Sequence, residues 1–117
     1  MTTETLIQPV KVGDIFVSSW GWDQTNVDFY EVVGITPSGK SARIVGIRSE
    51  IVEQNGYSQR VRPVPGSYPA AAVPSTKRLR YSTRFGGDVW ITLTSYSSAR
   101  RTTPDSTHHE SGPYGGH

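Results

Sequence analysis

Three groups of side chains in this sequence have the types and spacing to do chemistry. The first is Lys77, Arg78, Arg80 and Arg84, interleaved with Leu79, Tyr81 and Phe85. Successive side chains of an extended chain alternate sides. Arg78, Arg80, Ser82 and Arg84 therefore share one face, and Lys77, Leu79, Tyr81, Thr83 and Phe85 share the other. Leu79, Tyr81 and Phe85 then pack inward while three arginines line up outward. A guanidinium donates two parallel hydrogen bonds. Such a row, with Lys77 adjoining, suits phosphates or another polyanion, gripping a nucleic-acid backbone without reading its bases. The competing reading is a solvated strand face.

The second group lies in SWGWDQTNVDFYEVV, residues 18–32. Trp20 and Trp22 flank a glycine, the polar run Asp23-Gln24-Thr25-Asn26 follows, and Asp28, Phe29 and Tyr30 come next. Turned inward, the tryptophans close a core and the polar residues cap their own loop. Turned outward, Trp20, Trp22 and Tyr30 are a surface for stacking bases or anchoring a partner protein, with Gln24 and Asn26 to recognise polar edges. The sequence leaves both directions open.

The third group is Asp105, His108, His109, Glu110 and His117. Adjacent histidines in a strand point to opposite sides, and the spacing matches no standard zinc pattern, so no metal site is expected. If the tail folds back over the rest of the chain, His108 or His109 becomes a weak candidate general base, paired with Asp23 or Asp28. Phosphate-cradling loops and nucleophile elbows are absent, and nothing in the sequence calls for a cofactor.

The elements that must hold these groups are short strands. The chain has 117 residues, suited to one domain, with 34% hydrophobic residues, 12 Gly and 8 Pro. That balance favours strands and turns over long helices. Cysteine is absent, which excludes disulfides, thiolate catalysis and cysteine-held metals. No apolar run approaches a membrane span and the first residues lack a signal-peptide order, so a cytoplasmic protein without a membrane partner is expected. The net charge of +2 is unevenly spread. Residues 1–60 hold five Lys/Arg against seven Asp/Glu, residues 61–117 seven against three, and no acid occurs from Gln54 through Gly87. This asymmetry also points to an anionic partner.

Residues 1–9 read as a flexible arm, 10–99 as a single barrel domain and 100–117 as an irregular tail. Within the domain, a Gly13-Asp14 turn feeds a first strand ending near Val17. The second strand is Val27–Ile35, in which Asp28 or Glu31 is expected to sit half-buried with a partner. A Thr36–Lys40 turn, with Gly39 at a positive φ, leads to a third strand, Ser41–Val52, with a bulge at Gly46. Tyr57–Val64 is the fourth strand. The prolines make Pro65–Thr76 an irregular connection. Lys77–Phe85 and Val89–Tyr96 are the last strands, and in the latter Ile91 and Leu93 face the core while Trp90 faces away. Five to six such strands without a helix imply an all-β fold, a small antiparallel barrel or rolled sheet.

The opening, VKVGDIFV followed by FYEVVGITPSGKSARIVGI, resembles SH3-like small barrels over about 40 residues. GDIF, SWGWDQTNVDFYEVVG, VRPVPG at 61–66, TKR at 76–78, TSYSSA at 94–99 and the Gly-rich ending in GH resemble a group of small, mostly uncharacterised bacteriophage and mobile-element proteins. Where that group often has an aromatic-acidic stretch after TSYSSA, this chain has Arg100-Arg101. The resemblance implies an accessory protein acting in a host cytoplasm and carries no activity with it. The expected function is non-enzymatic binding of nucleic acid or another polyanion. The alternatives are a module that captures a host protein through the DQTNVDFY loop, and a small hydrolase of nucleotides or nucleic acid.

Overall fold

The computed structural model of the protein describes residues 9–20, 26–54, 58–82, 88–94 and 97–111. Among them are nine strands and no helix. The strands are β1 (Ile15–Trp20), β2 (Asn26–Ile35), β3 (Ser41–Ile47), β4 (Ser49–Gln54), β5 (Ser58–Pro63), β6 (Ser75–Ser82), β7 (Asp88–Thr94), β8 (Ser97–Thr102) and β9 (His108–Ser111). Six of them, in the order β1-β2-β3-β6-β7-β8, close into a barrel whose neighbours are all antiparallel. The other three form a second sheet, β4-β5-β9. The fold is thus the small antiparallel barrel expected, with a second sheet added. Closure removes the barrel's edges and leaves edges only on the second sheet.

Local chemistry sets the entry to the barrel. Asp14 accepts the Lys11 backbone N–H at 3.0 Å, the Asp14 N–H bonds the Lys11 carbonyl at 3.1 Å, and Gly13 takes a φ of 97° that other residues adopt only at a cost. The Gly13 N–H reaches the Val32 carbonyl at 2.9 Å, docking the turn on β2. The expected Thr36–Lys40 turn is present, with Gly39 at φ 73° and its N–H on the Thr36 carbonyl at 2.8 Å.

The chain departs from the sequence reading at a strand division, a bulge and a domain boundary. The expected third strand divides at Arg48: its first part, β3, belongs to the barrel, and its second, β4, to the second sheet. The backbone of Arg48 is there engaged by the later connection, its N–H on Ser67 Oγ at 2.7 Å and its carbonyl on the Val64 N–H at 2.9 Å. Gly46 pairs in register with Tyr30, and the bulge lies instead in β2, between Val32 and Gly34. The domain boundary expected after Ala99 falls inside β8, because Arg100, Arg101 and Thr102 complete the barrel by pairing with Val17, Phe16 and Ile15. Beyond the bend at 103–107, β9 pairs with β5. The chain returns here with few apolar residues, and backbone pairing does the ordering.

Two hydrophobic clusters result. Inside the barrel lie Phe16, Val32, Ala42, Ile44, Leu79, Val89, Ile91 and Ala99, with Tyr30, Ile35 and Leu93 packed against them. Outside it, Ile15, Val17, Val27, Phe29 and Val61 form a second cluster with Ile47. Val61 comes from β5, so the second sheet covers the outer face of β1 and β2. Ile91 and Leu93 face the core as expected, Ile91 fully buried and Leu93 partly. Glu31 is half-buried and accepts the Gly66 N–H at 2.7 Å, which ties the 64–67 connection to β2.

Candidate functional site

On the barrel's outer face, the part left open by the second sheet is carried by β6, β7, β8 and the start of β3. Residues directly opposite in paired strands point to the same side. Arg80 is opposite Trp90 across β6 and β7, and Trp90 is opposite Arg100 across β7 and β8. The three make one row perpendicular to the strands. Arg78 and Thr92 stand on the same face, as does Ser98, which pairs with Thr92. Arg78, Arg80 and Arg100 are exposed, and Trp90 is half-buried. Thr92 Oγ1 accepts Arg80 Nε at 3.2 Å, tying that guanidinium to the sheet.

None of these arginines pairs with a carboxylate among the described side chains. The ion pairs found there join Arg62 to Glu50 and Arg101 to Asp14, the latter at 3.6 Å. An unpaired guanidinium keeps its full charge for a ligand, and three on one face make a local positive surface on a chain of net charge only +2.

The structure therefore keeps Arg78 and Arg80 from the expected row and adds Arg100, which sequence reasoning assigned to the tail. Arg84 lies outside the described residues. Lys77 does not join the row: it points to the opposite side of β6, and its Nζ donates to the Leu93 carbonyl at 3.1 Å. Leu79 packs inward, whereas Tyr81, on the same side of β6, is 46% exposed. Its partner across the hairpin, Val89, is fully buried on that same side.

Of the residues expected around the opening stretch, the described side chains are those of Tyr30 and Asn26, and neither is on the arginine face. Tyr30 packs against the barrel's interior cluster, on the other side of the wall from the arginine face. Burial, and secondarily the charge of Asp28, push its pKa up. Asn26 is half-buried and opposes Trp20 in the β1/β2 pairing. Trp22, Asp23 and Gln24, and the side chain of Trp20, lie outside what is described.

His108 comes back onto the barrel, as a catalytic role for it would require, and its contacts among the described residues are to a ring and two hydroxyls. It packs edge-on against Phe29, ring centroids 5.5 Å apart, and its Nε2 is 3.1 Å from Thr102 Oγ1 and 3.2 Å from Ser106 Oγ. Asp28 adjoins Phe29 in β2 and so points to the opposite face from His108. Burial, and then the charge of Arg100, push the His108 pKa down. A neutral imidazole held by two hydroxyls between two sheets reads as a packing and hydrogen-bonding element. Asp23, His117 and the side chain of His109 are outside the described residues. No group of three or more His, Cys, Asp or Glu that could hold a metal occurs among those described.

One cavity of about 700 Å³ lies where β1 and β8 begin and end, lined by Lys11, Asp14, Ile15, Arg101, Thr102 and Pro104 among others. Its charges are largely satisfied internally, since Asp14 faces Arg101 and caps the Lys11 backbone. The arginine face has no such internal partner among the described side chains. No family model, curated protein or solved structure matches this chain. No helix among the described residues is long and apolar enough to cross a membrane.

Proposed function

We propose that this barrel is a non-enzymatic accessory protein of the bacteriophage or mobile-element kind that binds nucleic acid or another polyanion through Arg78, Arg80 and Arg100. The observation that carries the reading is the placing of these three exposed arginines on one open face without a carboxylate partner among the described side chains. Each can fork two hydrogen bonds to a phosphate. The barrel beneath supplies a rigid base, because the inward neighbours of that face, Leu79, Ile91 and Ala99, are all buried. The resemblance of GDIF and SWGWDQTNVDFYEVVG to small phage proteins supports the biological setting.

The test is the salt dependence of binding to a labelled oligonucleotide. Three phosphate contacts give a slope of log affinity against log salt of roughly −2 to −3. No binding at low salt, or binding indifferent to Arg80→Ala and Arg100→Ala, overturns the proposal.

A further inference from the structure

We infer that the polyanion on this face is a single strand of nucleic acid, with Trp90 as the platform on which a base stacks; this deepens the reading above and depends on it. The observation is the order Arg80–Trp90–Arg100 across three adjacent strands. Within β6 the one aromatic residue, Tyr81, falls on the side away from Arg78 and Arg80, and β7, which carries Trp90, holds no arginine. The sheet brings ring and guanidinium together by setting three separate strands side by side.

A duplex offers phosphates outward and keeps the faces of its bases stacked on one another. A ring between two cations adds little to its capture. A single strand offers phosphates and unstacked base faces together, and every base has such a face. Strands in a sheet lie about 5 Å apart, so Arg80 and Arg100 stem from backbone roughly 5 Å to either side of Trp90. Their long side chains then reach phosphates on the two sides of a base lying on the indole. Thr92 holds one of the two guanidiniums to the sheet, and Trp90 is half-buried. Part of the contact is thereby set before a ligand arrives, which lowers the ordering cost of binding.

The same surroundings define what the site does not read. The other described side chains on this face are Thr76 and Arg78 of β6, Thr92 and Ser98, with Ser41 and Arg43 opposite Arg78 and Thr76 on β3. None is an amide or carboxylate of the kind that distinguishes one base edge from another. The strand is therefore bound with tolerance of sequence. The platform also has a boundary. Beyond Arg100 the row continues to Val17 and Phe29, which the second sheet covers. The strand is accommodated on β6 to β8 and stops at β9.

The experiment measures anisotropy of labelled oligothymidine, the same oligothymidine annealed to oligoadenine, and competition by heparin, which has charge without bases. The full chain and its Trp90→Ala, Trp90→Phe and Arg100→Ala variants are compared. The expected result is preference for the single strand, lost in Trp90→Ala by about 5- to 100-fold and largely kept in Trp90→Phe. Duplex and heparin binding should change less than about twofold in Trp90→Ala, while Arg100→Ala weakens binding to every probe alike. Equal binding of strand, duplex and heparin, unmoved by either Trp90 variant, overturns the inference and leaves the polyanion reading standing. Absence of binding to all three overturns both. Should Trp90→Ala fail to fold, a Trp90→Phe protein with no preference for the single strand is enough to reject the platform.

Discussion

His108 meets the edge of Phe29 with ring centroids 5.5 Å apart and planes inclined by 60°, a contact that joins β9 to the outer wall of the barrel. The imidazole is pushed toward its neutral form there by burial and by Arg100. Just below the ordinary histidine pKa of about 6.5, the unfolded chain binds a proton that the folded one refuses. Stability should consequently fall as pH drops through that region, and above it His108 should contribute no pH dependence. Urea denaturation at pH 7.5 and 5.5 checks this: the acid-side loss should shrink in His108→Gln. An unchanged difference between the two pH values would show that His108 is protonated as readily in the fold as out of it.

Ile91 is fully buried inside the barrel, paired with Leu79 on one side and Ala99 on the other. Ile91→Ala should destabilise the protein by about 2–5 kcal/mol through lost burial and the space left behind. Arg78→Ala, on the outward side of β6, should cost under about 0.5 kcal/mol. Chemical denaturation of the two variants side by side distinguishes an inside position from an outside one.

If Arg80 and Arg100 each meet a phosphate, removing either should make the salt slope shallower by about one unit. The double substitution should lower it by about two. Lys77→Ala provides the contrast. Its ammonium is engaged with the Leu93 carbonyl, so the slope should stay as it was. Titrations of an oligonucleotide at several salt concentrations read all four proteins.

Gly39 sits at φ 73° with open space where a side chain would stand. Gly39→Ala should thus cost about 1–2 kcal/mol from the backbone alone. Gly46 has equally open space and no positive φ, and Gly46→Ala should be close to neutral or slightly stabilising. Thermal melts of the two variants separate backbone strain from crowding.

The barrel strands were legible because alternation is local. Val89–Leu93 and Lys77–Leu79 carry their inside and outside in neighbouring letters, and the turns at Gly13 and Gly39 are marked by residues suited to them. The second sheet was hidden because nothing local marks Arg48 as a change of sheet. The chain there is held by Ser67 and Val64, distant in sequence. Its consequence, burial on both faces of β1 and β2, explains why Phe29 and Tyr30 could both be apolar without breaking the strand. Two of the three arginines, Arg78 and Arg80, were visible for the same reason as the strands. Arg100 was not, since a polar stretch without an apolar rhythm looks like tail until its backbone partners are known. The Trp90 platform depends on register across three strands, and register is a property of pairs.

Strands β3, β5 and β8 turn alternate residues toward water over part of their length. Strand β1 does not: Ile15, Phe16, Val17 and Ser18 are all buried, the odd-numbered pair under the second sheet and Phe16 within the barrel. In informational terms this segment is written at double density, each letter specified by a neighbour and none left to solvent. A library randomised over these four positions and selected for folding should return a continuous block of apolar or small residues. The same library over β6 should return a pattern of period two. IFVS would then be the last part of the molecule able to drift, and the arginine face, free of the core, would be the part able to change its ligand while the fold stays the same.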